Sequence, residues 1–222
     1  MRVVDLSQPL GPETAGWPGD GPFVATPDAT VDVDGSYSRR VDLHEHMGTH
    51  FDAPAHFVRD GLTVDAIAAD RLVVPVRVVD ISAQADADRD YALAVVDLEE
   101  MEAMDGMLEP GQAVLVRTGW DRFLNDRARY IDDLRFPGVG VEAAELLVRR
   151  GVIGIGIDTL SIDRGVATEF PVHLITLPAG LWHVEGLVGI DRVPSVGATL
   201  VVGVPLVKDA SGFPARVLAL LP

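Results

Sequence analysis

Residues 44–57 of the chain read HEHMGTHFDAPAHF, and this stretch contains most of the histidines in the sequence. Four of the six histidines lie in it, namely His44, His46, His50 and His56. A second segment, PVHLITLPAGLWHVEGL, carries the remaining two and an acidic residue, namely His173, His183 and Glu185. A chain with six histidines and no cysteine that gathers the histidines in two short segments is expected to use them together.

Polar side chains alternate with apolar ones along the first segment. The polar set occupies even-numbered positions, namely His44, His46, His50, Asp52 and His56. Because alternate side chains of a strand point to one face, we expect a face of imidazoles and a carboxylate backed by an apolar face. His46 and His50 lie four residues apart, as they would on a helix face, but Gly48 and Pro54 disfavour a helix. The pattern therefore predicts a strand that runs into a bent loop, with Gly48 at a tight turn or a close approach.

Imidazole nitrogens with a carboxylate oxygen form a ligand set for a transition metal. This set suits Zn²⁺, Mn²⁺ or Fe²⁺ better than Ca²⁺ or Mg²⁺. Two histidines and one aspartate also leave coordination positions open for water and substrate, as a catalytic site requires. For any one histidine alone, a surface residue on a polar strand is the favoured alternative, but the whole cluster is too specific for that. The sequence predicts a divalent metal site, with zinc favoured over manganese.

This motif resembles the signature of the metal-dependent cyclase/hydrolase family, which includes bacterial kynurenine formamidase and isatin hydrolase. The family pattern is His-x-Gly-Thr-His-x-Asp-x-Pro-x-His, and residues 46–56 meet it. The resemblance continues at WPGD (17–20), GIDTLSID (156–163) and FPVH (170–173). Glu185 follows His173 by twelve residues, as in the family.

The resemblance implies a role for each of these residues. His46, His50 and Asp52 would hold a first ion, and Asp52, His173 and Glu185 would hold a second, so that one or two ions are expected per chain. His56 would act as general base, and Trp17 would contact the substrate. From the residues alone, the alternative for Trp17 is a hydrophobic plug, and the alternative for Glu185 is a surface carboxylate. The sequence assigns no role to His44 or His183, and it favours a capping or turn role for Asp158.

The implied activity is hydrolysis of an amide C–N bond by a metal-activated water. N-formylkynurenine, cleaved to kynurenine and formate, is the first substrate to expect. A second hypothesis is hydrolysis of another cyclic or acyl substrate, such as an isatin-like lactam or a lactone. A third is a non-catalytic metal-binding protein, which His56 argues against because the implied ligand sets do not need it.

The order of apolar runs predicts a mixed α/β fold. The length of 222 residues favours one domain spanning residues 1–222. Residues 72–81 (LVVPVRVVDI) read as a buried strand, Asp34-Gly35 as a hairpin turn between strands 23–33 and 38–43, and Val141–Arg150 as an amphipathic helix. Strands outnumber long helices, so we expect a curved or barrel-like sheet flanked by short helices. The resemblance implies the family's swivelling β/β/α fold and assembly as a homodimer or larger oligomer.

The charge and composition disfavour several classes of partner. There are 34 acidic and 18 basic residues, a net charge of −16, which argues against binding to nucleic acid or an anionic membrane. The lack of cysteine excludes disulfides and thiolate chemistry. We also find no apolar run of about 20 residues and no signal-peptide segment. These features predict a cytoplasmic protein that acts on a small molecule.

Overall fold

A nine-stranded mixed sheet, curled into half a barrel, runs through the computed structural model of the chain, which describes residues 2–222. The strands, in chain order, are β1 (Arg2–Asp5), β2 (Val24–Ala29), β3 (Ser38–Asp42), β4 (His50–Asp52), β5 (Val73–Asp80), β6 (Ala92–Leu93), β7 (Ala113–Arg117), β8 (Gly138–Val139), β9 (Gly154–Ile157), β10 (Trp182–Glu185), β11 (Ala198–Gly203), β12 (Gly212–Pro214) and β13 (Arg216–Leu221). The helices are α1 (Val31–Asp34), α2 (Ser82–Ala87), α3 (Val95–Asp105), α4 (Arg127–Ile131), α5 (Val141–Arg149) and α6 (Pro171–Thr176). The expected curved sheet with short flanking helices is confirmed.

The large sheet has the order β1-β13-β11-β5-β7-β9-β10-β4-β12. Its centre, β5-β7-β9-β10, is parallel, and the strands on both sides are antiparallel. Parallel neighbours need crossover connections, and helices α3, α5 and α6 lie in these crossovers. The predicted strand at 72–81 and the predicted helix at Val141–Arg150 are both present, within a residue at each end.

The two faces of the sheet carry separate apolar cores. Phe51, Trp182 and Val184 belong to one core, while Leu147 and Ile155 belong to the other, together with the crossover helices. At the carboxyl ends of β9 and β10 the chain turns away from the sheet, and polar side chains lie there. This edge is where open α/β sheets usually bind ligands, and it carries the histidine segments of this chain.

Asp158 lies in a bend directly after β9, but its carboxylate bonds to a distant segment and does not make the local capping or turn contact that the sequence favours. Its buried carboxylate accepts hydrogen bonds from the backbone N–H groups of Thr118 and Gly119, at 3.0 Å and 2.7 Å, and from the Thr118 hydroxyl at 2.6 Å. Burial raises the pKa of Asp158 to about 6, although these hydrogen bonds oppose the rise. The side chain therefore ties β9 to the segment that follows β7.

A hairpin of residues 24–42, which we call the arm, projects from the sheet and contains no buried residue. Strands β2 and β3 pair as predicted, but the expected first strand over 23–33 is wrong at its end, because residues 31–34 form a helical turn. The Thr30 N–H donates to the Asp34 carboxylate at 2.8 Å and closes this turn, and Gly35 ends it with φ +72°. The arm leads directly into the histidine segment.

Among residues 2–222, no helix combines the length and the apolar character that crossing a bilayer requires.

Candidate metal centre

Strands β4 and β10 bring four polar side chains to one face. The two strands are antiparallel, and their register sets Asp52 opposite His183 and His50 opposite Glu185. Side chains of directly opposed residues lie on the same face of a sheet. All four residues are buried, with an exposed fraction of 4% or less for the whole residue. The residues between them, Phe51 and Val184, point into the apolar core on the other face.

Asp52 lies at the middle of the cluster, and its two carboxylate oxygens face different histidines. Oδ1 is 2.6 Å from Nδ1 of His46 and 3.3 Å from Nε2 of His50. Oδ2 is 3.7 Å from Nε2 of His173 and 3.8 Å from Nδ1 of His183. The two carboxylate oxygens of Glu185 also face different histidines. Oε2 is 3.4 Å from Nε2 of His50, and Oε1 is 3.5 Å from Nε2 of His173. The donor atoms therefore form two groups that share Asp52, and each group is compact enough to surround one cation.

Three of the imidazole rings are oriented by hydrogen bonds on the side away from the cluster. Nδ1 of His50 donates to the Gly48 carbonyl at 3.0 Å, and Nδ1 of His173 donates to the Asp163 carboxylate at 2.6 Å. Nε2 of His46 donates to the Ser211 hydroxyl at 3.0 Å, whose own proton goes to Glu45. Each ring therefore directs an unprotonated nitrogen inward when it is neutral, which is the arrangement found around metals in proteins.

Gly48 and α6 give this segment its local shape. Gly48 has φ +66°, and a Cβ there would lie 2.5 Å from the Leu10 side chain, so the tight turn and close approach predicted for it are both present. Helix α6 carries His173, and Asp163 accepts from the backbone N–H groups of Val172 and His173 near its start. One carboxylate therefore holds both the helix and the ring.

The electrostatics of the cluster favour positive charge at its centre. Burial raises the pKa of Asp52, but the charges of His50 and His46 outweigh it and hold the pKa well below its usual range. Burial lowers the pKa of His173, but hydrogen bonds to Asp163 and Asp52 raise it to about 10. Asp52 Oδ2 is buried and has no hydrogen-bond partner among the described residues. The ionised Asp52, converging imidazoles and an unpaired buried oxygen are what a divalent cation requires.

His56 differs from the other four buried or partly buried histidines. It lies in a 3₁₀ turn, Pro54–His56, and its ring stacks on that of His46 with 3.8 Å between centroids. No described residue makes a hydrogen bond to its ring. Burial, reinforced by the neighbouring histidines, lowers the pKa of His56 to about 3 despite the opposing charge of Asp52. His56 is therefore neutral at neutral pH and has a free nitrogen lone pair.

The cluster forms the floor of a cavity of about 270 Å³ whose walls are aromatic. Trp17 and Phe57 each lie 5.6 Å from Phe170, measured between ring centroids, and Phe57 lies 4.6 Å from His173. Phe170 has the left-handed backbone conformation, φ +50°, which is uncommon for a residue with a side chain. Asp20 and His44 also line the cavity, and no arginine or lysine among residues 2–222 does so.

A model of the family described as "Putative cyclase" matches residues 4–164. The chain is 31% identical over its whole length to isatin hydrolase from Roseibium aggregatum, of which it covers 92%. The chain belongs to the cyclase family. It is also 32% identical to kynurenine formamidase from Bacillus cytotoxicus, over 96% of this chain and 94% of that protein. The solved structure of isatin hydrolase A from Ralstonia solanacearum matches with a TM-score of 0.93 and 33% identity, over 100% of this chain and 92% of that one.

Membership of the cyclase family confirms the resemblance seen in the sequence and identifies the chain as a metal-dependent hydrolase. The structure brings together all five predicted ligands, namely His46, His50, Asp52, His173 and Glu185. Their roles as ligands stay a prediction, as do those of His56 and Trp17, both of which line the cavity. The predicted strand is shorter than expected, because only His50–Asp52 form a strand and a loop positions His46. The bent loop expected after the strand is present as the 3₁₀ turn that positions His56. His44 lies at the rim, 3.4 Å from Asp20.

Two kinds of residue were not identified from the sequence. His183 belongs to the donor cluster, and the signal for it was present, because His183 and Glu185 have the same two-residue spacing on β10 as His50 and Asp52 on β4. Phe57 and Phe170 form the cavity wall together with Trp17. For these two there was no signal beyond their nearness to the histidines in sequence.

We expect Asp163→Asn to weaken metal binding, because it weakens the hydrogen bond that orients His173. Loss of a partner of this kind typically costs about 10–100-fold in metal affinity. Competition with a chelator of known affinity measures the change, and Asp70→Asn, an exposed carboxylate away from the cluster, is the control. Equal affinity in the Asp163 variant and the wild type would contradict the orienting role.

Proposed function

We propose that the chain hydrolyses the C–N bond of a compact aryl amide. The observation that carries this proposal is His56, a neutral imidazole with no hydrogen bond to the described chain, next to a buried His/Asp/Glu cluster at the floor of an aromatic cavity. A protein that only stores metal has no use for an unbonded ring in this position. The relatives named above are hydrolases of isatin and of a formamide of kynurenine, and the scissile bond in both substrates joins a carbonyl to an aryl nitrogen.

His46, His50 and Asp52 would hold one divalent ion, and Asp52, His173 and Glu185 a second. We propose that the ion is zinc or manganese, since imidazole and carboxylate ligands suit both. Zinc is the first of the two to test. When bound, a divalent ion in this position would supply a water of lowered pKa and would polarise the substrate carbonyl. Hydrogen bonds to Gly48, Asp163 and Ser211 already hold the rings in place. The inward nitrogens can therefore bind an ion without further loss of side-chain conformational entropy.

The remaining work falls to the residues of the cavity. His56 accepts the proton of the attacking water on its free ring nitrogen and returns it to the departing aryl nitrogen. Trp17, Phe57 and Phe170 sandwich the aromatic ring of the substrate and exclude bulk water from the cavity. Holding the carbonyl carbon close to the attacking water in this way removes much of the entropic cost of the reaction.

The cavity favours a neutral ring over an amino acid, so an isatin-like lactam is the first substrate to test. N-formylkynurenine carries an α-carboxylate and an α-ammonium group. Asp20 offers a partner for the ammonium group, but no arginine or lysine among the described lining residues pairs with the carboxylate. Arylformamidase activity on N-formylkynurenine is the second candidate, and a place in tryptophan catabolism would follow only from that substrate.

We expect metal-loaded protein to open isatin faster than it cleaves N-formylkynurenine, and we expect His56→Ala to lower kcat by about 10²–10⁴-fold, the usual contribution of a general base. Absorbance assays measure both reactions, and elemental analysis of the same samples measures bound metal. The metal content of His56→Ala should equal that of the wild type. Full turnover in that variant would refute the general-base role, and metal binding without turnover of either amide would refute the proposed reaction.

Trp17→Ala should raise KM by roughly 3–10-fold with little change in kcat, because an aromatic contact of about 0.5–1.5 kcal/mol would be lost in ground and transition state alike. Trp17→Phe, which keeps an aromatic face, is the matched control and should retain most of the affinity. Steady-state kinetics on the better substrate give both constants. A KM that is the same in all three proteins would mean that Trp17 is only a hydrophobic plug.

We also propose that the chain acts as one domain, in the cytoplasm, and as a homodimer or larger oligomer. Support for one domain is the pairing of Arg2 with Leu221 in neighbouring strands of the same sheet. The arm supports the oligomer. At its tip, Val33 and Tyr37 have exposed fractions of 84% and 65%, and such exposed apolar side chains are often covered by another protein chain.

The oligomer has a direct test. Light scattering should give the mass of at least two chains for the wild type and a lower mass for the double variant Val33→Asp, Tyr37→Asp. Both residues are exposed, so folding should not change, and circular dichroism checks this. Asp32→Asn, in the same helical turn, is the control and should assemble like the wild type. A monomeric wild type would refute the proposal.

A further inference from the structure

His183 presents a buried nitrogen that has no partner within the described residues. The residue has an exposed fraction of 0%, and its Nδ1 makes no hydrogen bond. Oδ2 of Asp52 lies 3.8 Å from it and is also buried and also unpartnered. Two such atoms are each costly to bury, and here they face each other at a distance beyond hydrogen-bond range.

The hydrogen bonds of Thr176 fix which nitrogen of His183 carries the proton. The Thr176 hydroxyl lies 2.7 Å from the Val172 carbonyl, to which it donates, and 2.7 Å from Nε2 of His183. A hydroxyl has only one proton. Both contacts are hydrogen bonds only if Nε2 is protonated and donates to Thr176. Nδ1 of the neutral ring is then unprotonated, and its lone pair faces the Asp52 carboxylate.

Two facing lone pairs repel each other unless a positive charge lies between them. We propose that His183, through Nδ1, is a fourth protein ligand of the ion held by Asp52, His173 and Glu185, with Thr176 fixing its tautomer. This inference rests on the metal centre of the proposed function. Imidazole nitrogen is a usual ligand of zinc and manganese sites. The other three histidines of the centre are oriented by a hydrogen bond from their second nitrogen, and His183 has the same arrangement.

The fourth ligand makes the two ion sites unequal. Both groups border the cavity, one through His46 and His50 and the other through His173 and Glu185, but the group of His46, His50 and Asp52 provides only three residues. The group of Asp52, His173, His183 and Glu185 provides four residues, all buried. Three protein ligands with an open position are typical of catalytic zinc, whereas four are typical of a closed, structural site. The four-residue site should therefore hold its ion more tightly, and the three-residue site should exchange its ion and bind water.

The experiment is a titration of metal-free protein with Co²⁺ in the presence of a competing chelator, followed by visible absorption. The wild type should take up two ions per chain with distinct affinities. His183→Gln should weaken the tighter ion by at least about 10–100-fold and change its visible bands, since an orienting partner alone is worth that much. Thr176→Val keeps the His183 ring and nearly the volume of the threonine side chain, but it removes the hydroxyl that fixes the tautomer of His183. This variant should weaken binding of the same ion. Thr199→Val, on β11 and away from the centre, is the matched control and should match the wild type.

An unchanged affinity and an unchanged cobalt spectrum in His183→Gln would overturn the inference. If this variant does not fold, as judged by circular dichroism of the metal-free protein, the same comparison is made with Thr176→Val. An unchanged affinity for the tighter ion in Thr176→Val would then overturn the inference. Failure of this inference is distinguishable from failure of the proposed function. Amide turnover with an ion that is indifferent to His183 refutes only the inference, while a His183-dependent ion without amide turnover refutes only the reaction.

Discussion

The pairing of β4 with β10 is the contact on which the metal centre depends. Its register sets Asp52 opposite His183 and His50 opposite Glu185, so four donors share one face while Phe51 and Val184 fill the core on the other. A shift of either strand by one residue would reverse the side chains of that strand. It would bury two polar groups in an apolar core and move one large apolar side chain into the cluster. The apolar core on the far face therefore fixes the geometry of the donors.

A second set of contacts makes the cluster rigid. The imidazoles of the centre are held from behind by a backbone carbonyl, a carboxylate or a hydroxyl that has already given its proton away. Rings fixed in this way lose little freedom when an ion binds. His56 lacks such a partner and keeps a free ring nitrogen. The histidines of the cluster are therefore fixed in orientation by hydrogen bonds, whereas His56 has a ring nitrogen that is free to accept a proton.

Much of this centre could be predicted from local sequence, because the motif at residues 46–56 places its donors close together in the chain. The distribution of histidines drew attention to His173 and Glu185, but their roles as ligands came only from the family resemblance. The spacing of His183 from Glu185 indicates only that the two side chains share a face of one strand, and the role of His183 was missed because that strand's partner lies about 130 residues away in the chain. The helical turn at residues 31–34 was missed because one hydrogen bond from Thr30 to Asp34 decided it. The curvature of the sheet was expected, but its strand order was not, since strand order depends on long-range contacts.

Phe170 stands where two demands on the chain oppose each other. Its ring forms the wall shared by Trp17 and Phe57, yet its backbone is left-handed, a conformation that costs a residue with a Cβ about 1–2 kcal/mol. Glycine would adopt this backbone freely but would leave the cavity without its wall. The position therefore exchanges folding stability for an aromatic wall of the cavity. Attempts to make the protein more heat-resistant by placing glycine at this residue would open the cavity on that side.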